Sequence, residues 1–363
     1  MAKKILILGG VLPALSLVRR LERIAEDVEI ICHEDDVIAY SKFGLKHQYS
    51  TLDDVEILIG KWVEVNKSYS DQWLIIPCSE FFVEFIGLLI GNGFEVFSLS
   101  QDILDVFADK KLFYAWLGSL DIHVGDFFDL DTRLSFEANE KYIVKVSKLI
   151  PKYKSSFKTA VIDSSDELHK IVENIPCLHR DNFVIQRLYP NTQNISYGGV
   201  WVCGKEVASV VVQQLRQYPK GVTSAVELHK NENDIAYIKN VISRIAGEKK
   251  LNGFIELEFV KNKQGLVPID LNARLWGWSS FLFYSYPACV GNILEGGDKP
   301  VEFVQVDSWS NLWRDLPAIL KGEESLVQKI NSIFLLFTST KRIDFIFWRD
   351  VKPEILSFVK KLI

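Results

Sequence analysis

The stretch GFIELEFVKNKQGLVPIDLNAR, residues 253–274, constrains this chain more than any other. Two β-prone segments flank KNKQG, a five-residue loop with the glycine that hairpin turns favour. Because side chains alternate along a strand, Ile255, Leu257 and Phe259 point one way while Glu256 and Glu258 point the other. On the return strand Ile269 and Leu271 oppose Asp270, Asn272 and Arg274. If the apolar sides share one core, the acids, the amide and the guanidinium share one surface. Lysines and threonines would serve a solvated face equally well. A row of hard oxygen donors instead suits magnesium, which takes oxygen ligands and completes its shell with substrate phosphates. Arg274 adds a rigid fork of donors for a phosphoryl group or a developing oxyanion.

At 363 residues the chain suits two or three domains around a large core. KKILILGG reads as a buried strand ended by two glycines, and VLPALSLVRRLERIAE has helical apolar spacing. VEIICHE and WLIIPCS read as further strands, EFFVEFIGLLIGNG as a helix and FEVFSLS as another strand. This alternation predicts an α/β fold with a parallel sheet covered on both faces, over residues 1–105. One helix is predicted for Gln101 to Leu120, then short strands at Tyr142 and Phe183 around a helix from Ser165 to Asn174. From Ile195 the strands lengthen into antiparallel hairpins, and after Gly297 the pattern turns helical. The expected divisions are therefore 1–105, 106–190, 191–297 and a helical extension at 298–363.

A net charge of −5 opposes general nucleic-acid binding, which needs a clustered positive excess. Small molecules are the expected partners. The five cysteines form no C-x-x-C pair and no His-accompanied ligand spacing, so neither zinc nor a disulfide framework is predicted. No segment reaches the roughly 18 uninterrupted apolar residues of a membrane span. The N-terminal apolar run is broken by Gly9-Gly10, continues into RRLER and lacks a small-residue cleavage site, which opposes a signal peptide and leaves a cytoplasmic location as the expectation. The glycine pair lacks the G-x-G-x-x-G spacing of a dinucleotide site and reads as a tight turn. A nicotinamide enzyme with Glu34 or Asp35 on the ribose is the alternative use of this sheet.

The hairpin resembles that of ATP-grasp enzymes, most nearly the branch of carbamoyl-phosphate synthase and D-aspartate ligase. There an acidic residue, a spacer and E-x-N-x-R correspond to Glu258 and Asp270-Leu-Asn272-Ala-Arg274. Asp in place of the second Glu keeps the charge and shortens the reach by one methylene. The resemblance extends to Ala108-Asp-Lys110-Lys and Tyr142-Ile-Val-Lys145, similar to the family's two nucleotide lysines. It extends also to Phe183-Val-Ile-Gln186-Arg187-Leu188-Tyr, similar to the hinge strand along the adenine, and to Gln214-Leu-Arg216-Gln-Tyr-Pro.

The resemblance implies an ATP-grasp fold with an N-terminal Rossmann-like domain and mixed α+β ATP-binding domains. Glu258, Asp270 and Asn272 would hold two magnesium ions, with manganese as a substitute. Lys110 and Lys145 would meet the phosphates, and Gln186, Arg187, Leu188 and Asn194 would lie along the nucleotide. Arg274 would stabilise the acyl-phosphate step, with Arg216 at the acyl phosphate or the acceptor. The implied activity is ATP-dependent ligation of a carboxylate to an amine or thiol, with a homodimer as an open option. A nucleotide-binding regulator of the same fold is the non-catalytic alternative. The family's glycine-rich phosphate loop is replaced here by a lysine- and serine-bearing stretch, Lys148 to Lys158.

Overall fold

The structure, a computed structural model, describes the chain apart from residues 1–2, 26, 133, 135, 137–140, 149–156, 158, 190–191, 220, 264, 323–324, 337–340, 345–349, 351, 354 and 357–363. Most of the stretch 148–158 therefore lies outside the described residues. Five parallel strands open the chain: β1 (Lys4–Leu8), β2 (Val28–His33), β3 (Leu45–Tyr49), β4 (Trp73–Pro77) and β5 (Glu95–Val96). Their order is β3-β2-β1-β4-β5. All of β4 and nearly all of β1 is buried, as expected for central strands with helices on both faces. The order reverses between β1 and β4, and the crevice at the carboxyl ends of such a pair is where open α/β sheets bind ligands. Gly9, with φ of +104°, makes the turn there, and Asp36 Oδ2 lies 2.3 Å from where a Cβ on Gly10 would stand. That carboxylate covers the glycine pair and would repel a pyrophosphate.

A four-stranded antiparallel sheet follows, of β6 (Phe127–Phe128), β7 (Lys141–Val146), β8 (Thr159–Ile162) and β9 (Phe183–Leu188), in the order β6-β9-β7-β8. It has its own core around Val144, Ile162, Phe183 and Ile185. Between the first two sheets the expected single helix is two, Gln101–Phe107 and Lys110–Ser119. The apolar periodicity runs through the join, but Asp109 interrupts it as an N-cap. Its carboxylate accepts from Lys111 N at 3.0 Å and from Ser147 Oγ at 2.7 Å. Lys110 is thereby placed on the first turn of the second helix, its own backbone N–H bonded to Ser147 O beside β7.

The third sheet has seven strands: β10 (Gln193–Val202), β11 (Lys205–Gln217), β12 (Thr223–Leu228), β13 (Gly253–Asn262), β14 (Gly265–Asn272), β15 (Ser308–Asn311) and β16 (Lys341–Asp344). The order is β14-β13-β10-β11-β12-β15-β16. The stretch after Gly297 thus contributes two strands as well as the helices Leu312–Lys321 and Leu326–Leu336. Ser308 to Asn311 is too short to carry a period, and it pairs with β12 with Trp309 opposite Val226, both in the core. Asn311 then caps the next helix, its side chain accepting from Arg314 N. Helix Glu232–Glu248 covers one face of this sheet, where Ile238, Ile242 and Ile245 join Ile255, Leu257 and Phe259 in the core.

Candidate active site

Strands β13 and β14 form the predicted hairpin, and its two faces sort as the alternation requires. Ile255, Leu257 and Phe259 are fully buried, while Glu256 stands opposite Asn272 and Glu258 opposite Asp270. One detail departs from strict alternation. The register slips between Glu258↔Asp270 and Phe259↔Pro268, so Ile269 is an extra residue in β14. The bulge leaves its carbonyl available, and that oxygen accepts from Tyr114 OH at 2.6 Å and from Lys145 Nζ at 3.1 Å.

Both expected lysines arrive beside the hairpin acids from different elements. Lys110 Nζ bonds Asp270 Oδ1 at 2.5 Å. Lys145, on β7, donates to Tyr114 OH at 2.8 Å and is buried. Burial lowers the Lys145 pKa to about 7, helped by the Lys110 charge and only partly offset by Asp270 and Glu258. Lys110 is also desolvated, but Asp270, Glu80 and Glu258 outweigh that and raise its pKa. For Glu258, burial and then the Asp270 charge push the carboxyl up to about 7. Burial acts on Asp270 in the same sense, yet the two lysines prevail and hold its pKa below the usual value.

These residues fit a divalent cation in one specific way. Two carboxylates face each other across adjacent strands, one of them disfavoured as an anion by burial and by the other. A cation between them would relieve both penalties. Among the described residues no group of three Asp, Glu, His or Cys side chains is placed to hold a metal ion. Magnesium is ordinarily held through one or two carboxylates, its remaining positions going to water and phosphate oxygens.

The other expected site residues distribute unevenly. Gln186 on β9 is buried, its Oε1 lies 3.5 Å from Tyr114 OH, and its Nε2 has no hydrogen-bond partner among the described residues, which leaves a donor for a ligand acceptor. Arg187 N donates to Asp126 O, its guanidinium lies 3.6 Å from the Asp126 carboxylate, and Leu188 pairs with Lys141 on β7. On β10 it is Ser196 that stands opposite Glu258, while Asn194 stands opposite Val260. Arg274 lies 3.9 Å from Glu80, its Nη1 donates to Leu275 O, and its buried Nε has no partner among the described residues. Arg216 is not brought into the lysine and acid cluster by its recorded bonds. Its Nε and Nη2 each lie 2.7 Å from the fully buried Asp315, which also accepts from Ser224 Oγ.

Several participants escaped the sequence reading. Tyr114 joins Lys145 to the bulged strand, and Gln214 reaches Ser196 Oγ at 3.0 Å and Glu258 at 3.5 Å. Trp278 Nε1 donates to Glu256 Oε1 at 2.7 Å. For Tyr114 a signal existed, since it lies four residues after Lys110 and so on the same helical face. Beside the cluster, Glu80, Glu84, Asp105, Leu104, Asn272 and Arg274 help line a recess of roughly 710 Å³, part of it open to solvent. It adjoins the carboxyl end of β4, beside the point where the strand order reverses.

The sequence matches no protein-family model and none of the curated proteins. Solved structures match in shape. The biotin carboxylase domain of Hydrogenobacter thermophilus 2-oxoglutarate carboxylase, a dimer with MgADP and bicarbonate, superposes with a TM-score of 0.66 at 13% identity, over 84% of this chain and 73% of that one. Campylobacter jejuni biotin carboxylase, in complex with an ATP species, gives 0.66 at 14% identity over 84% and 74%. N5-carboxyaminoimidazole ribonucleotide synthetase from Thermus thermophilus gives 0.64 at 15% identity over 82% and 79%. The chain has the ATP-grasp fold shared by these proteins.

Proposed function

We propose that this chain is an ATP-dependent ligase that activates a small carboxylate as an acyl phosphate and joins it to an amine. The observation that carries the reading is the meeting of Lys110 and Lys145 with Glu258, Asp270 and Asn272 across elements far apart in sequence. Adenine would lie along β9 with Gln186 as a side-chain partner, between Arg187 and Leu188 of the same strand and the more distant Asn194. The lysines would meet the phosphates as point charges. Glu258, Asp270 and Asn272 would hold the magnesium or manganese, two ions in this reading, which when bound screens phosphate charge. Arg274, at the mouth of the recess, would grip the transferred phosphoryl group, with Arg216 further from the centre and already paired.

In the first step a carboxylate oxygen attacks the γ-phosphorus and the bond to ADP breaks; in the second an amine nitrogen attacks the acyl carbon and phosphate leaves. The residues present contribute position and charge, which is what phosphoryl transfer requires of a protein. The match to the branch of carbamoyl-phosphate synthase and D-aspartate ligase rests on the hairpin residues. The recess beside the cluster, lined by Glu80, Glu84, Asp105 and Arg274, would take the small carboxylate and amine. The expected homodimer has one neighbour, itself a dimer, in its support.

The test is ADP release against a panel pairing carboxylated sugars and amino acids with small amines. ADP is expected to appear only when a fitting carboxylate is supplied, and to rise when the amine is added. Nucleotide binding with no ADP release under any pairing would favour the regulator. Quenching of NADH fluorescence on titration, with no response to ATP, would favour the nicotinamide alternative.

A further inference from the structure

Glu256 is the hairpin acid to which the proposed function gives no role. It is 4% exposed, yet it makes two short, well-defined hydrogen bonds. Its Oε1 accepts from Trp278 Nε1 at 2.7 Å, and its Oε2 accepts from Asn272 Nδ2 at 2.9 Å. The same Asn272 Nδ2 lies 3.4 Å from Glu258 Oε1. Glu256 and Asn272 are a directly opposed cross-strand pair, with Gly198 on the other side of Glu256. The tryptophan reaches this position because Gly198 has no side chain to exclude the rings.

An asparagine amide has two unlike ends, and only its oxygen can ligate a cation. Here the nitrogen end is anchored between two carboxyl groups, and both Glu256 oxygens accept, one from Trp278 and one from this amide. The reverse orientation would set Oδ1 against those accepting oxygens and turn the NH₂ group toward the cation. We infer that Glu256 is a positioning residue: it fixes the Asn272 amide so that its oxygen faces the metal, and Trp278 in turn fixes Glu256. The inference rests on the reading of Asn272 as a metal ligand.

Glu256→Gln keeps the shape and removes one acceptor. Two donors still point at the side chain, so if its oxygen serves Trp278 its NH₂ group faces Asn272 and turns that amide round. The readout is calorimetric ADP binding with and without Mg²⁺. The strengthening of ADP binding by Mg²⁺ is expected to fall by about 10- to 100-fold, the scale of a lost orienting partner, with metal-free ADP binding unchanged. Pairing Glu256→Gln with Asn272→Asp is expected to bring the strengthening back to within roughly tenfold of wild type. The aspartate has an oxygen at either end, accepts from the new amide, and preserves the total charge. A merely structural role for Glu256 predicts no such rescue.

An undiminished Mg²⁺ effect in Glu256→Gln, or a double variant no better than the single, overturns the inference. If the single variant does not fold, the double decides alone: an Mg²⁺ effect near wild type supports the inference and its loss overturns it. The underlying reading fails separately, and this inference with it, if Asn272→Ala leaves the wild-type Mg²⁺ effect untouched.

Discussion

Asp270→Asn is expected to lower ADP release by about 10²- to 10³-fold without unfolding the chain, and Arg274→Ala to lower it comparably. The asparagine keeps the volume and removes the charge that pairs with Lys110 at 2.5 Å and faces Glu258 across the hairpin. Two consequences follow. The shell offered to a cation loses a carboxylate, and Lys110 and Lys145 lose the anion that offsets part of their mutual repulsion. The Lys110 ammonium that loses this partner has a side chain 19% exposed, so no unpaired charge is sealed away from water and the fold should persist. Arg274 lines the recess beside Asn272, and removing one such donor has the scale of a lost oxyanion contact. Circular dichroism should match wild type in both variants. Unchanged turnover in both would sink the site assignment.

The second large effect is on stability. Gly198→Ala is expected to lower the melting temperature by several degrees, because an added Cβ would lie 2.3 Å from Trp276 Cζ2 and 2.6 Å from Trp278 Cη2. Those two rings are 1% exposed and pack edge to face at 5.2 Å, so neither has free space to retreat into. Overpacking of this kind costs roughly 1–3 kcal/mol, and a kilocalorie shifts the melting point of a large domain by roughly 2–4 °C. Gly277→Ala is the matched control, since a Cβ there meets nothing within 4 Å. Equal melting points for the two variants would contradict the packing account. The displaced ring is also the one that holds Glu256, so Gly198→Ala should weaken the Mg²⁺ dependence as well.

Strand alternation alone assigned Glu258, Asp270 and Asn272 to one face, because a period of two survives wherever the other face is buried. It could not show the bulge at Ile269, whose carbonyl gathers Tyr114 and Lys145, because a bulge is a property of the register between strands. Apolar spacing from Gln101 to Leu120 concealed the break that Asp109 makes as an N-cap. Arg216 illustrates the limit most clearly. Its partner Asp315 lies 99 residues away in a different element, and nothing local in the sequence announces that pairing. Trp276 and Trp278 are both buried because Gly198 admits them, a fit between strands that no single segment displays. Carboxylate and amine identity stayed illegible for a related reason. The recess is assembled from segments around Glu80, Asp105 and Arg274 that only the fold brings together.

The central claim is that this hairpin and its two lysines form a metal-dependent ATP site, and calorimetric titration of ATP at pH 8 in two buffers of different ionisation enthalpy tests it most directly. The Lys145 pKa is lowered to about 7, so at pH 8 most of that amine is neutral in the free protein. Phosphate charge favours the ammonium form, so binding must draw a proton from the buffer, and affinity should decline as pH rises through that value. The account predicts one ATP per chain, binding at least about tenfold tighter with Mg²⁺ than with EDTA, and net proton uptake. ATP binding indifferent to Mg²⁺ and without proton uptake would contradict it.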